Sequence, residues 1–306
     1  MDIVHEPANG PQVLIKAFRE EDPDGTRLAR VFRESFDQIN DGLNTGRYSI
    51  SQLSKTEAAH LGSIVEINIR REFDGFINDG KWMDYEIAGY EVDCKYSKMP
   101  FGWMIPMEAI GHHGMLCHAN DESATFRVGF ARLTDEILTK GGNRDRKRSI
   151  SAAGRSSISW LHYDAPLPPN TLLQLSKETR DRVLDQKPGQ KRLNELFRVA
   201  QGEIIPRGIV ATVAQQKDYM KRVRSNGGSR SILRPEGIII LGDYKMHQLI
   251  AEDLDLPIPH DGDSVAVRIV PWEPTDEAPF TLIDGQPYRR ATPEDPVIAA
   301  PNVPNR

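Results

Sequence analysis

The spacing of apolar and polar positions divides the chain into a mixed first half and a second half dominated by helical periodicity. Residues 24–40 put Leu28, Val31, Phe32 and Phe36 on one stripe, as a helix packed on a core requires. Ser54 with Glu57 three residues later has the form of a capping box. A helix from there to about residue 71 would bury Leu61, Ile64, Val65 and Ile69. Up to about residue 57 the chain therefore reads as mainly helical. Residues 82–96 alternate as two strands joined near Gly89, and 104–116 and 124–133 are further apolar runs of strand or helix type. The expected class is α/β or α+β, a mixed sheet flanked by helices.

Pro166, Pro168 and Pro169 break regular structure, which predicts a first domain over 1–161, a proline-rich linker over 162–170 and a second domain over 171–306. In the second domain helical patterns run over 172–184, 192–200, 207–214 and 216–224, the last stopped by Gly227 and Gly228. A strand is expected at 237–241, and the last 35 or so residues, rich in proline and acids, are expected to wrap the surface.

No apolar run is long enough for a membrane span, and the opening residues MDIVHEPANG lack the features of a secretory signal. With only two cysteines, Cys94 and Cys117, a reducing cytoplasm is the expected location. The net charge of -5 argues at first against a nucleic-acid ligand. Its distribution reverses that inference. Residues 140–234 hold 20 Lys and Arg against 8 Asp and Glu, a segregation that can face a polyanion.

The candidate chemistry lies in the segment from Asp84 to Lys95. Residues two apart on a strand share a face, so Asp93 and Lys95 point one way while Val92, Cys94 and Tyr96 pack on the other. A turn near Gly89 returns Asp84 beside them. Paired carboxylates call for a cation, and hard oxygen ligands suit Mg²⁺. Lys95 would then orient an attacking water and offset charge developing on a phosphate. Glu66, at the edge of the preceding helix's apolar face, is the candidate third carboxylate, with Glu72 or Glu57 as alternatives. His112, His113 and His118 lack partners at zinc-like spacing, and Cys94 reads as a buried thiol rather than a nucleophile.

Residues 192–234 look like a helix-turn-helix running into a wing. In the candidate recognition helix Lys217, Lys221 and Arg224 form a basic stripe, with Arg222 further round and Tyr219, Met220 and Val223 as the apolar flank. Arg230 and Arg234 add charge after the Gly227–Gly228 turn.

Three runs, TGRYSISQLSKTEAAHLGSIVEINIRREF, DYEIAGYEVDCKYS and GIVATVAQQKDYMKRVRSNGGSRSILRPEGIIILG, closely resemble the NaeI family of type II restriction endonucleases. The resemblance implies a PD-(D/E)xK nuclease domain followed by a mainly helical winged-helix domain of catabolite-activator type. It implies catalytic residues at Glu66, Asp84, Asp93 and Lys95, with the three carboxylates binding Mg²⁺. It further implies a homodimer acting on double-stranded DNA at GCCGGC, with a second copy of the site as effector. Competing readings are a winged-helix regulator that does not cut, and a nicking or repair nuclease.

Overall fold

The computed structural model describes residues 9–304, so most of the opening stretch MDIVHEPANG, expected not to be a secretory signal, lies outside the described residues. By internal packing the chain forms two compact units: Met1–Ile39 with Ser49–Pro168, and Asn40–Tyr48 with Pro169–Arg306.

The first unit opens with α1 (Gly10–Glu21) and α2 (Thr26–Asn40); α3 (Gly42–Thr45) belongs to the second unit, and α4 (Lys55–Glu72) to the first. Helix α2 buries Leu28, Val31, Phe32 and Phe36 as its spacing requires. Helix α4 begins with the expected reciprocal cap: the Ser54 hydroxyl accepts the Glu57 N–H at 3.3 Å and Glu57 accepts the Ser54 N–H at 2.9 Å. Its buried residues are Leu61, Ile64, Val65 and Ile69.

Six strands follow: β1 (Asn78–Asp79), β2 (Tyr85–Ile87), β3 (Tyr90–Tyr96), β4 (His113–Asn120), β5 (Thr125–Arg132) and β6 (Ser159–Pro166), in sheet order β1-β2-β3-β4-β5-β6. Only β3 and β4 run parallel, so the sheet is mixed. The β2–β3 hairpin turns on Ala88 and Gly89, both at positive φ, the geometry that matches the twist of paired strands. One sheet face, with Tyr85, Val92, Cys94, Met115, Phe126 and Phe130, packs in one core with Phe18, Phe32, Val65 and Ile69 of the helices. The other, with Leu116, Ala131 and Leu133, is covered by Trp103, Ile105, Leu138, Ile150 and Ile158 from the connecting loops.

The proline-rich stretch departs from expectation. Strand β6 pairs with β5 as far as Pro166. As the sheet's edge strand it tolerates a residue without an N–H. The apolar run at 104–116 likewise becomes a strand only from His113.

In the second unit the pattern over 172–184 splits into α5 (Thr171–Gln174) and α6 (Lys177–Leu184), because Ser176 caps a new helix through the Thr179 N–H. Then come α7 (Gly189–Val199), β7 (Ile204–Ile205), α8 (Arg207–Ala214), α9 (Ser229–Ile232), β8 (Ile238–Gly242) and α10 (Lys245–Asp253). The unit is not mainly helical. Strands β9 (Ser264–Pro271), β10 (Phe280–Ile283) and β11 (Gln286–Arg290) complete a five-stranded sheet of order β10-β11-β9-β7, with β8 paired to β9. The tail expected to wrap the surface is in part a hairpin turning on Asp284 and Gly285. Among the described residues no helix is long and apolar enough to cross a membrane.

Candidate active site

The β2–β3 hairpin puts Asp84 one step beyond the Tyr85–Val92 pair, which brings it opposite Asp93. The site has Lys95 at its centre. Its Nζ donates to Asp93 Oδ1 at 2.6 Å, to Asp84 Oδ2 at 3.2 Å and to the Cys94 carbonyl at 2.9 Å. Asp84 Oδ2 also accepts the Cys94 backbone N–H at 2.8 Å. Cys94 itself is buried on the helix-packed face, pointing away as the alternation predicts.

Asp93 is 5% exposed, and its second oxygen, Oδ2, is buried with no hydrogen-bond partner. Burial raises its pKa to about 6, against the pull of Lys95, and the Asp84 charge adds to the rise. For Lys95 burial disfavours the charge, but Asp93 and Asp84 outweigh it and raise the pKa.

Glu66 lies on α4 where its backbone carbonyl accepts the Tyr85 hydroxyl at 2.7 Å. Its carboxyl pKa is raised by burial and then by Asp84, with Lys95 opposing, so it feels the same charges. The alternatives are otherwise engaged: Glu57 caps α4, and Glu72 binds Arg27 at 2.8 Å and Arg30 at 2.7 Å. Among the described residues no three His, Cys, Asp or Glu side chains are grouped as a metal-binding set, and Glu66 is the helix carboxylate whose charge couples to Asp84 and Asp93. A two-carboxylate set nonetheless suits Mg²⁺, which commonly takes one or two carboxylates and keeps several waters. The partnerless Asp93 Oδ2 is an oxygen left for such an ion. Of the histidines, His118 Nδ1 lies 2.8 Å from the Ser97 carbonyl and His112 stacks on Trp82.

One contributor was missed in the sequence. Glu91 shares the polar alternation with Asp93 and Lys95, and its buried carboxylate accepts the backbone N–H groups of Lys81, Trp82 and Met83 at 2.9–3.0 Å. Those bonds fix the loop that leads into Asp84. Burial raises the Glu91 pKa, but the three N–H donors outweigh it and hold it low.

The expected recognition helix is not formed. Helix α8 ends at Ala214 as expected, its last carbonyls, of Val213 and Ala214, accepting from Arg192 at 2.6 and 3.1 Å, and Gln215 turns left-handed at φ 49°. Only a 3₁₀ turn, Tyr219–Arg222, follows. Lys217, Lys221, Arg224 and Arg234 are exposed, but not as a helical stripe. Arg222 pairs with Asp218 at 3.3 Å. Arg230 is turned inward, its Nε donating to the Ile240 carbonyl at 2.9 Å, so it braces β8 instead of presenting its charge.

The sequence matches the family described as "Restriction endonuclease NaeI" over residues 12–299. It is 44% identical over 292 residues to "Type II restriction enzyme NaeI" from Lentzea aerocolonigenes, covering 93% of this chain and 91% of that protein.

Proposed function

Since this chain belongs to the NaeI family of restriction endonucleases, we propose that its first unit is a PD-(D/E)xK nuclease cutting double-stranded DNA with Mg²⁺ at Asp84 and Asp93. The observation that carries this reading is the Lys95 ammonium held between two carboxylates, one of which keeps a buried, unpartnered oxygen. An ion bound there supplies charge neutralisation and activation of water. The chain's own residues do the positioning. The Cys94 N–H fixes Asp84, and the Glu91-bound loop fixes the approach to it. Lys95 donates to both carboxylates and is placed to orient the attacking water and to meet charge developing on a phosphate oxygen. Glu66 on α4, which the aspartates repel in the absence of a cation, would be the third carboxylate toward the ion.

The second unit is read as a winged-helix module. Support comes from α7 and α8, the exposed cations Lys217, Lys221, Arg224 and Arg234, and the antiparallel β8–β9 pair that would serve as wing. Action as a homodimer on GCCGGC, with a second site as effector, is part of the same reading. A plasmid with one such site, incubated with the protein and Mg²⁺, should become linear at that site. A short uncleavable duplex bearing the site should accelerate the reaction. Nicked circles only, or an unchanged plasmid, would overturn the assignment.

A further inference from the structure

Residues 140–147 form a basic loop of the first unit that the site above does not use. They hold four cations, Lys140, Arg144, Arg146 and Lys147, and one carboxylate, Asp145. All four cations are exposed, and none makes an ion pair among the described residues. Elsewhere in this unit Arg30 binds Glu72, and Arg70 binds Asp74 and Asp79, while Arg19 and Arg71 are exposed without such a pair among the described residues.

The loop is nonetheless built. Antiparallel bridges Leu138–Ile150 and Ile105–Arg148 close its base, and Thr139 N–H donates to the Ser149 carbonyl at 2.8 Å. The Asn143 side chain accepts the Asp145 and Lys147 N–H groups at 3.0 and 2.9 Å, and Arg146 sits at φ 61°, where side chains are seldom found. Arg148, bound to Asp135 and to the Thr139 carbonyl, spends its charge on holding the base. Order of this kind around like charges costs both entropy and repulsion, which a polyanion would offset.

The loop is also rooted on the correct side. Leu138 and Ile150 belong to the apolar layer over the sheet face that carries Leu116. Leu116 is the β4 partner of Lys95, and paired residues share a face.

We propose that this loop is a phosphate-gripping arm of the nuclease unit, holding the duplex backbone beside the bond to be cut. The inference rests on the nuclease reading above. Phosphate contacts position a duplex without reading it, so the grip is indifferent to sequence.

The test uses the full chain, two duplexes (one bearing GCCGGC, one scrambled) and a salt series in EDTA, where binding is read without cleavage. Combining Arg144→Ala, Arg146→Ala and Lys147→Ala should lower the slope of log K against log[salt] by two to three on both duplexes, at about 0.9 per phosphate contact. With Mg²⁺, KM should rise at least about tenfold while kcat stays within about threefold, because bound DNA still meets an intact site. Arg144→Lys with Arg146→Lys keeps the charge and should keep the slope. An unchanged slope in the triple variant overturns the proposal, and so does equal loss in the lysine version, which would assign the arginines a structural role. Should the parent bind DNA but never cut it, the nuclease reading fails while the slopes still decide the arm; if it does neither, both fall.

Discussion

Asp84 Oδ2 accepts the Cys94 backbone N–H at 2.8 Å, so one carboxylate of the site is tied to the neighbouring strand independently of Lys95. Asp93 has no such tie for its Oδ2. The two aspartates should therefore answer differently to substitution. Asp93→Asn should fold as the parent does and lose cleavage by several orders of magnitude while binding DNA. Asp84→Asn keeps an acceptor for Cys94 and should lose cleavage alone, whereas Asp84→Ala should also lose about 1 kcal/mol of stability. Single-turnover plasmid cleavage beside thermal melting separates these cases, and appreciable cutting by Asp93→Asn removes it from the site.

In the second unit the cations should divide by what they touch. Lys217→Ala with Lys221→Ala removes exposed charge and should reduce the salt slope of DNA binding by about 1.8 without moving Tm. Arg230→Ala removes a donor from the Ile240 carbonyl and should lower Tm first. Equal effects on slope and melting in both variants would contradict this division.

His247, fully buried on α10, accepts the Gly242 N–H through Nδ1 at 2.9 Å, and burial together with the Arg230 charge lowers its pKa to about 4. An unfolded histidine titrates near ~6.5, so between those values the unfolded chain binds a proton that the folded one refuses. The stability His247 contributes is present above pH ~6.5 and is lost as pH falls toward 4, by something on the order of 3 kcal/mol. Melting curves from pH ~7 to ~4.5 should be steeper in pH for the parent than for His247→Gln. Superimposable profiles would rule it out as the acid-sensitive group.

A Cβ added at Gly42 would stand 1.9 Å from Thr212 Oγ1 and 2.9 Å from the Arg47 carbonyl. Gly42→Ala should therefore destabilise the second unit by about 1–3 kcal/mol, and Thr212→Ala in the same chain should recover part of the loss. Cleavage at low temperature should survive, since the hairpin of Asp84 and Asp93 lies in the other unit. Measured melting of the single and double variants decides it.

Local patterns fixed what local physics controls. The Ser54 cap, the α2 stripe and the two-residue turn at Ala88 and Gly89 each depend on residues within a few positions. The segment after α8 does not. Its charges are spaced for a helix, yet Arg207 holds the Tyr219 hydroxyl at 2.9 Å and Gln190 the Arg222 carbonyl at 3.0 Å. Contacts that distant leave no periodic trace. The β10–β11 hairpin was hidden differently: Asp284–Gly285 is a recognisable turn, but the surrounding proline and acid composition suggested irregular chain. In the β2–β3 hairpin Asp84, Asp93 and Lys95 come together as the alternation required, whereas the support from Glu91 passes through backbone N–H groups that a sequence does not display.

The assignment of Asn40–Tyr48 to the second unit has a hereditary consequence. The chain passes from one unit to the other after Ile39, after Tyr48 and after Pro168. A gene rearranged by one crossover near Pro168 would pair a new C-terminal module with the old α3, leaving the Gly42–Thr212 fit and the Asn170–Tyr48 hydrogen bond without their partners. Exchange of an intact second unit would therefore require two separate stretches of coding sequence, for residues 40–48 and from residue 169 on, to move together.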